Sequence, residues 1–119
     1  MTGNKISDND FALAIHGGAG TILRSKMTRE READYHGGLR RALEAGRIVL
    51  ADGGSALDAA SAAVMALEDE PLFNAGRGAV YTSAGTQEMD AAVMDGRDRS
   101  AGAVAGICGP RNPVLPPAP

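Results

Sequence analysis

The chain has 119 residues, and its 12 basic residues against 15 acidic ones give a formal net charge of -3. That balance leaves no basic stripe to hold a nucleic acid backbone, and no apolar run approaches the roughly 18 residues of a membrane span. The single cysteine, Cys108, has no internal partner, which fits a reducing compartment, and the polar, acidic stretch 1–10 does not read as a targeting peptide. The expected location is therefore cytoplasmic. Aromatic residues make up only 3% of the chain, while 22 residues are alanine and 16 are glycine. Small residues bring backbones close but each buries little area, so at about 25 cal/mol per Å2 the core is thin for this length. These elements read as layers of something larger.

Phe11–Ile15 is a short apolar run after a flexible polar tail at 1–10, and it ends in His16-Gly17-Gly18-Ala19-Gly20. This pattern predicts a buried strand closed by a glycine loop. From Thr28 to Leu50, Tyr35, Leu39, Ala42, Leu43, Gly46, Val49 and Leu50 share one helical stripe, with Thr28 as N-cap. Asp52-Gly53-Gly54 makes the turn. Ser55-Ala56-Leu57-Asp58 reads as a capping box opening a second helix to about Asp69, with a stripe of Leu57, Ala60, Val64 and Leu67. Pro71 stops it.

A glycine-punctuated loop follows from Leu72 to Gly78. Ala79–Thr82 and Met89–Met94 are strand candidates, separated by a turn at Ser83–Thr86. Asp95-Gly96-Arg97-Asp98 is a hairpin turn. The uncharged run Ala101–Cys108 predicts a strand buried on both faces, with an inert Cys108. Asn112 and Pro113 have the form of a helix start, but Pro116-Pro117-Ala118-Pro119 forbids a helix there. Residues 113–119 thus form an aberrant proline-rich end, of the kind a truncation or frameshift produces.

The glycine loop does not match a dinucleotide fingerprint, because Leu23 stands where glycine is needed, and no Gly-Lys-Ser/Thr follows it. It reads either as a tight turn or as a loop whose backbone lies beside a reacting centre. His16 is either an anchor of that turn or a general base. Gly53-Gly54-Ser55-Ala56-Leu57 lacks the last glycine of a nucleophile elbow, and His16 and His36 are too far apart in sequence to suggest a metal site. Asp90 and Asp95 fit an acid pair or a solvated hairpin equally. The loop around Asn74-Ala75-Gly76-Arg77-Gly78 turns several main-chain carbonyls inward, where donors or a hard cation would satisfy them.

Five segments together resemble the plant-type L-asparaginase and isoaspartyl peptidase family of threonine-type N-terminal nucleophile hydrolases. They are Ile15–Gly20, Ser55–Ala60, Pro71–Val80, Glu88–Gly96, and Ala101–Gly106 with Arg111–Val114. The resemblance implies an αββα four-layer sandwich, α/β or α+β in class, with residues 11–112 as the N-terminal portion of an α subunit. It implies a precursor that cleaves itself, and a nucleophilic threonine at the N-terminus of a β subunit that this chain does not carry. The implied substrates are L-asparagine and isoaspartyl dipeptides, with release of aspartate. The implied partners are the β subunit of the same precursor and a second αβ unit; no nucleic acid and no membrane is expected. No organic cofactor is implied, but a structural sodium ion is, held by the main-chain carbonyls of Leu67, Glu68, Glu70, Phe73, Ala75 and Arg77. The active-site loop residues implied are His16, Gly17, Gly18, Gly20 and Asn74. The chain by itself is expected to be inactive. The alternatives are a non-enzymatic remnant or interaction fragment, and an independent small-molecule module built on the glycine loop.

Overall fold

A computed structural model describes residues 10–20 and 22–115. Apart from Asp10, the polar tail lies outside them, and so do the last four residues of the proline-rich end. Two helices and one hairpin give an α+β arrangement. Helix α1 spans Arg29–Ala51, helix α2 Ala56–Asp69, strand β1 Met89–Met94 and strand β2 Ala101–Ile107. Both helix starts follow the sequence reading. The Thr28 hydroxyl accepts the Arg31 N–H at 3.1 Å, and the Ser55 hydroxyl accepts the Asp58 N–H at 3.0 Å, each satisfying an N–H that the first turn leaves orphaned. No helix among the described residues is long and apolar enough to cross a membrane.

The helices pack through a seam of small residues. On α1 the buried positions are Gly38, Ala42 and Gly46; on α2 they are Ala59, Ala63, Leu67 and Glu68. A Cβ at Gly46 would sit 3.0 Å from the Ala59 carbonyl oxygen and 3.4 Å from the Ala63 Cβ, so the two backbones meet nearly in contact. This corrects the expected α2 stripe: Ala60 and Val64 are exposed, because the close approach selects the alanine face rather than the bulkier one. Leu67 and Phe73 join Ala42 in the core cluster, with Ile15, Tyr35, Leu39 and Ala66 against it.

β1 and β2 form an antiparallel two-stranded sheet, with Ala92 opposite Ala103 and a register shift between Met89 and Ala91. The Asp90 carboxylate accepts the Gly106 N–H at 2.7 Å and pins that irregularity. The hairpin turn is held by Asp95, whose N–H donates to the Ser100 carbonyl and whose side chain grips Arg97. Asp90 and Asp95 are therefore hairpin residues.

Three strand expectations change. Phe11–Ile15 is extended, with burial alternating residue by residue, but it pairs with no strand among the described residues. Ala79–Thr82 is irregular, with Val80 and Tyr81 64% and 71% exposed. β2 is half-buried on one face and open on the other, and Cys108 just beyond it is exposed rather than buried. Phe11–Ile15 and Ala101–Cys108 were read as buried because apolar composition reports the faces a strand can cover, not whether a neighbour covers them. Asn112 caps no helix; its segment makes a single turn, with the Leu115 N–H donating to the Asn112 carbonyl.

Candidate functional site

The glycine loop follows the extended segment 11–15 onto the side of α1. A Cβ at Gly17 would lie 2.7 Å from the Leu39 Cδ2 and 3.2 Å from the Phe73 ring, so a larger residue there would have to push these side chains aside. Gly18 has φ +119°, in the region that favours glycine, and nothing lies within 4 Å of the Cβ it lacks. Beside this loop is a cleft of about 500 Å3 bordered by Gly17, Gly18, Gly20, Tyr35, Phe73 and Asn74. Tyr35 and Phe73 meet edge to face, with ring centroids 6.0 Å apart, and the Arg31 guanidinium lies 5.6 Å from the Tyr35 ring centre. Four of the five expected loop residues are thus brought together. The fifth, His16, is exposed and does not border the cleft. The aromatic wall was absent from the sequence reading, although Tyr35 lay on the helical stripe that pointed toward it.

Asn74 reaches the cleft from the segment after α2. Its Oδ1 accepts the Val80 N–H at 3.0 Å, which closes the 74–80 loop on itself. The segment from Leu67 to Gly78 is a chain of tight turns: Leu67, Glu70, Phe73 and Ala75 carbonyls accept the N–H groups of Glu70, Phe73, Ala75 and Gly78 in turn. Each carbonyl oxygen keeps a second lone pair. Two glycines pack backbone directly against carbonyl oxygens of this segment. At Gly76, φ +49°, a Cβ would meet the Glu68 carbonyl oxygen at 2.6 Å, and at Gly78 it would meet the carbonyl oxygens of Phe73 and Pro71. Main-chain carbonyl oxygens are the donor type that a hard, oxygen-seeking cation takes, and Glu68 and Phe73 are two of the six expected to supply them. The salt bridge from Arg41 Nη2 to Glu70 Oε2, 2.6 Å, ties the loop back to α1. Among the described residues, no group of three His, Cys, Asp or Glu side chains stands together as a metal site.

Beneath the loop, Glu68 is 3% exposed and Asn112 is 9% exposed. The Glu68 carboxylate accepts the Val114 N–H at 2.9 Å and the Asn112 Nδ2 at 3.1 Å. Burial pushes the Glu68 carboxyl above its ordinary range, against the pull of these two donors. Next to it, Asp69 is held below its ordinary range, first by the hydrogen bonds from Arg111. A wider cleft, about 840 Å3, lies on the hairpin side between Arg77, Tyr81, Gln87, Cys108 and Arg111.

The cleft offers backbone, an amide and aromatic walls, with Glu32 and His36 on its border, their side chains 3.7 Å apart; among the described residues, no Ser, Thr or Cys lines it. Comparison with known proteins identifies the family. A family model described as asparaginase matches residues 9–116. The chain is 53% identical over 107 residues to the isoaspartyl peptidase of Salmonella typhimurium, covering 90% of this chain and 34% of that protein. It is 52% identical over 103 residues to the plant-type L-asparaginase of Thermococcus kodakarensis, covering 87% and 32%. It is 45% identical over 106 residues to the isoaspartyl peptidase/L-asparaginase of Homo sapiens, covering 89% and 33%. The chain thus spans about a third of the length of the curated relatives it matches. With its glycine loop, its carbonyl loop and the match over residues 9–116, the chain belongs to the asparaginase family.

Proposed function

We propose that this chain supplies the scaffold and backbone loops of an amidohydrolase that cleaves L-asparagine or β-aspartyl dipeptides. In this reading a threonine at the N-terminus of a β subunit attacks the side-chain carbonyl carbon of the substrate, with its own amine taking the hydroxyl proton. The C–N bond breaks, and ammonia or an amino acid leaves with a proton. Water then hydrolyses the ester and frees aspartate. The residues described here bind and shape. Gly17 and Gly18 bring main chain to the edge of the cleft, and Tyr35 and Phe73 exclude water from one side of it. Asn74 keeps its amide nitrogen available, since its oxygen is engaged with Val80. The carbonyls of Leu67, Glu68, Glu70, Phe73, Ala75 and Arg77 would hold a sodium ion, which when bound supplies a positive charge that braces the loop.

The observation that carries this reading is that the glycine loop and the Asn74 loop, 50-odd positions apart in the sequence, border one cleft. The open faces at Val80, Tyr81 and Met94 fit further layers of an αββα sandwich formed with the β subunit of the same precursor, the αβ unit then pairing with a second one. The test is a chimera in which residues 9–116 of this chain replace the matching segment of the Salmonella isoaspartyl peptidase. The chimera should cleave itself and release aspartate from a β-aspartyl dipeptide, while the 119-residue chain alone releases none. A chimera that folds as well as its host but stays uncleaved and silent would refute the proposal.

A further inference from the structure

Glu68 is a buried carboxylate that the proposed chemistry does not use, and among the described residues no cation lies within ion-pair distance of it. Asp69 is engaged with Arg111, and Glu88 and Asp90 border the same small cleft of about 270 Å3. Burying an unpaired carboxylate in this way stabilises a fold less than a well-packed apolar side chain of similar size would. Its geometry, however, is specific. Its two oxygens take one donor each, from Val114 and Asn112. The same Asn112 amide reaches the Met65 carbonyl at 3.4 Å and Asp69 Oδ1 at 3.1 Å, so it grips the last turn of α2 at three positions on one face. Pro113, between the two donors, is fully buried, and Val114 is 3% exposed. On the other side, Gly76 rests directly against the Glu68 Cβ and carbonyl oxygen. Glu68 is therefore held between the 112–114 segment and the carbonyl loop, and Asn74 on that loop borders both the small cleft and the glycine-loop cleft.

We propose that Glu68 is a positioning residue: its carboxylate clasps Asn112 and Val114 across the end of α2, and so fixes the course of the 67–77 loop that brings Asn74 to the cleft. The purpose given to the loop rests on the amidohydrolase reading; the clasp itself does not. Its test compares the full chain with Glu68→Leu and Glu68→Gln by residue-resolved amide exchange. Leucine removes both acceptors. Glutamine keeps one and turns an amide toward the Asn112 donor. In Glu68→Leu the amides of Ala75, Gly78 and Val114 should exchange at least about tenfold faster while those of Ala42 and Gly46 in α1 keep their rates, with Glu68→Gln between the two. Faster exchange at Val114 alone, or no change at any of these amides, overturns the proposal. So does loss of α1 protection in step with the loop in both variants, because Glu68 would then hold the fold as a whole. In the chimera, Glu68→Leu should lower kcat about tenfold with KM unchanged, the mark of lost geometry rather than lost affinity. A raised KM with kcat unchanged overturns the loop's assigned purpose. A chimera silent even with Glu68 in place refutes the amidohydrolase reading and leaves the amide rates to decide the clasp.

Discussion

Replacing Gly18 with alanine separates a functional loop from a plain turn. The new methyl group meets nothing within 4 Å, so packing contributes no penalty. The cost is conformational, since φ is +119°, and holding a non-glycine residue in a sparsely populated region costs about 1–3 kcal/mol. In a protein as large as the chimera, each kcal/mol lowers the melting temperature by about 2–4 °C, so the loss is survivable. The loop can also relax, which moves the main chain at the cleft edge; a displacement of about 1 Å beside a reacting centre costs roughly 100-fold in rate. Gly20 supplies the control, because it borders the same cleft, has no positive φ, and its missing Cβ also faces open space. Self-cleavage and aspartate release are measured alongside thermal melts for Gly18→Ala and Gly20→Ala in the chimera. Gly18→Ala should lose processing or turnover by about two orders of magnitude with a melting temperature a few degrees lower, and Gly20→Ala should match the parent in both. Complete cleavage and normal turnover in Gly18→Ala would refute the reasoning.

Other predictions follow from the packing and the turns. Gly37→Ala places its Cβ 3.3 Å from Arg41 Nη1, and a small shift of that exposed side chain relieves the contact while its Nη2 stays on Glu70, so the helix gains up to about 1 kcal/mol; Gly46→Ala meets the fixed Ala59 carbonyl and should lose about 1–3 kcal/mol. Thermal melts of the full chain should therefore shift in opposite directions, and a rise in both would contradict the small-residue seam. Gly78→Ala should disrupt the carbonyl loop, read as faster amide exchange at Ala75 and Gly78, because its Cβ would collide with the Phe73 carbonyl; unchanged exchange would count against that close packing. The Arg97 hydrogen bonds hold the Asp95 carboxyl down at about 2. A lowered folded value means that the turn's contribution is present above the ordinary value of 3.8 and is lost as pH falls through about 2. A carboxyl titration followed by NMR should place Asp95 there, and Arg97→Ala should return it toward 3.8; a midpoint near 3.8 in the intact chain would contradict the clamp.

Much of this was legible in the sequence where the physics is local. The caps at Thr28 and Ser55, the limits of both helices, the β1 strand and the Asp95 turn all depend on neighbours within a few residues. The α2 face was not legible, because an alanine-rich helix shows several apolar stripes, and only the close approach of Gly46 selects Ala59 and Ala63. Phe11–Ile15 and Ala79–Thr82 were misread for a related reason: strand pairing is decided by a partner distant in sequence. The Glu68 clasp was missed because Asn112 next to Pro113 has the form of a helix start, and its actual acceptors lie more than forty positions earlier. A charged residue on the core side of the last turn of an apolar helix was the available signal.

If the cleft beside Gly17, Gly18 and Asn74 borders the reacting centre of an amidohydrolase, a crystal structure of the chimera with L-aspartate bound should show product density at this cleft, with the β-subunit threonine beside the Gly17–Gly18 main chain. Aspartate bound elsewhere, with the threonine remote from the glycine loop, would contradict it.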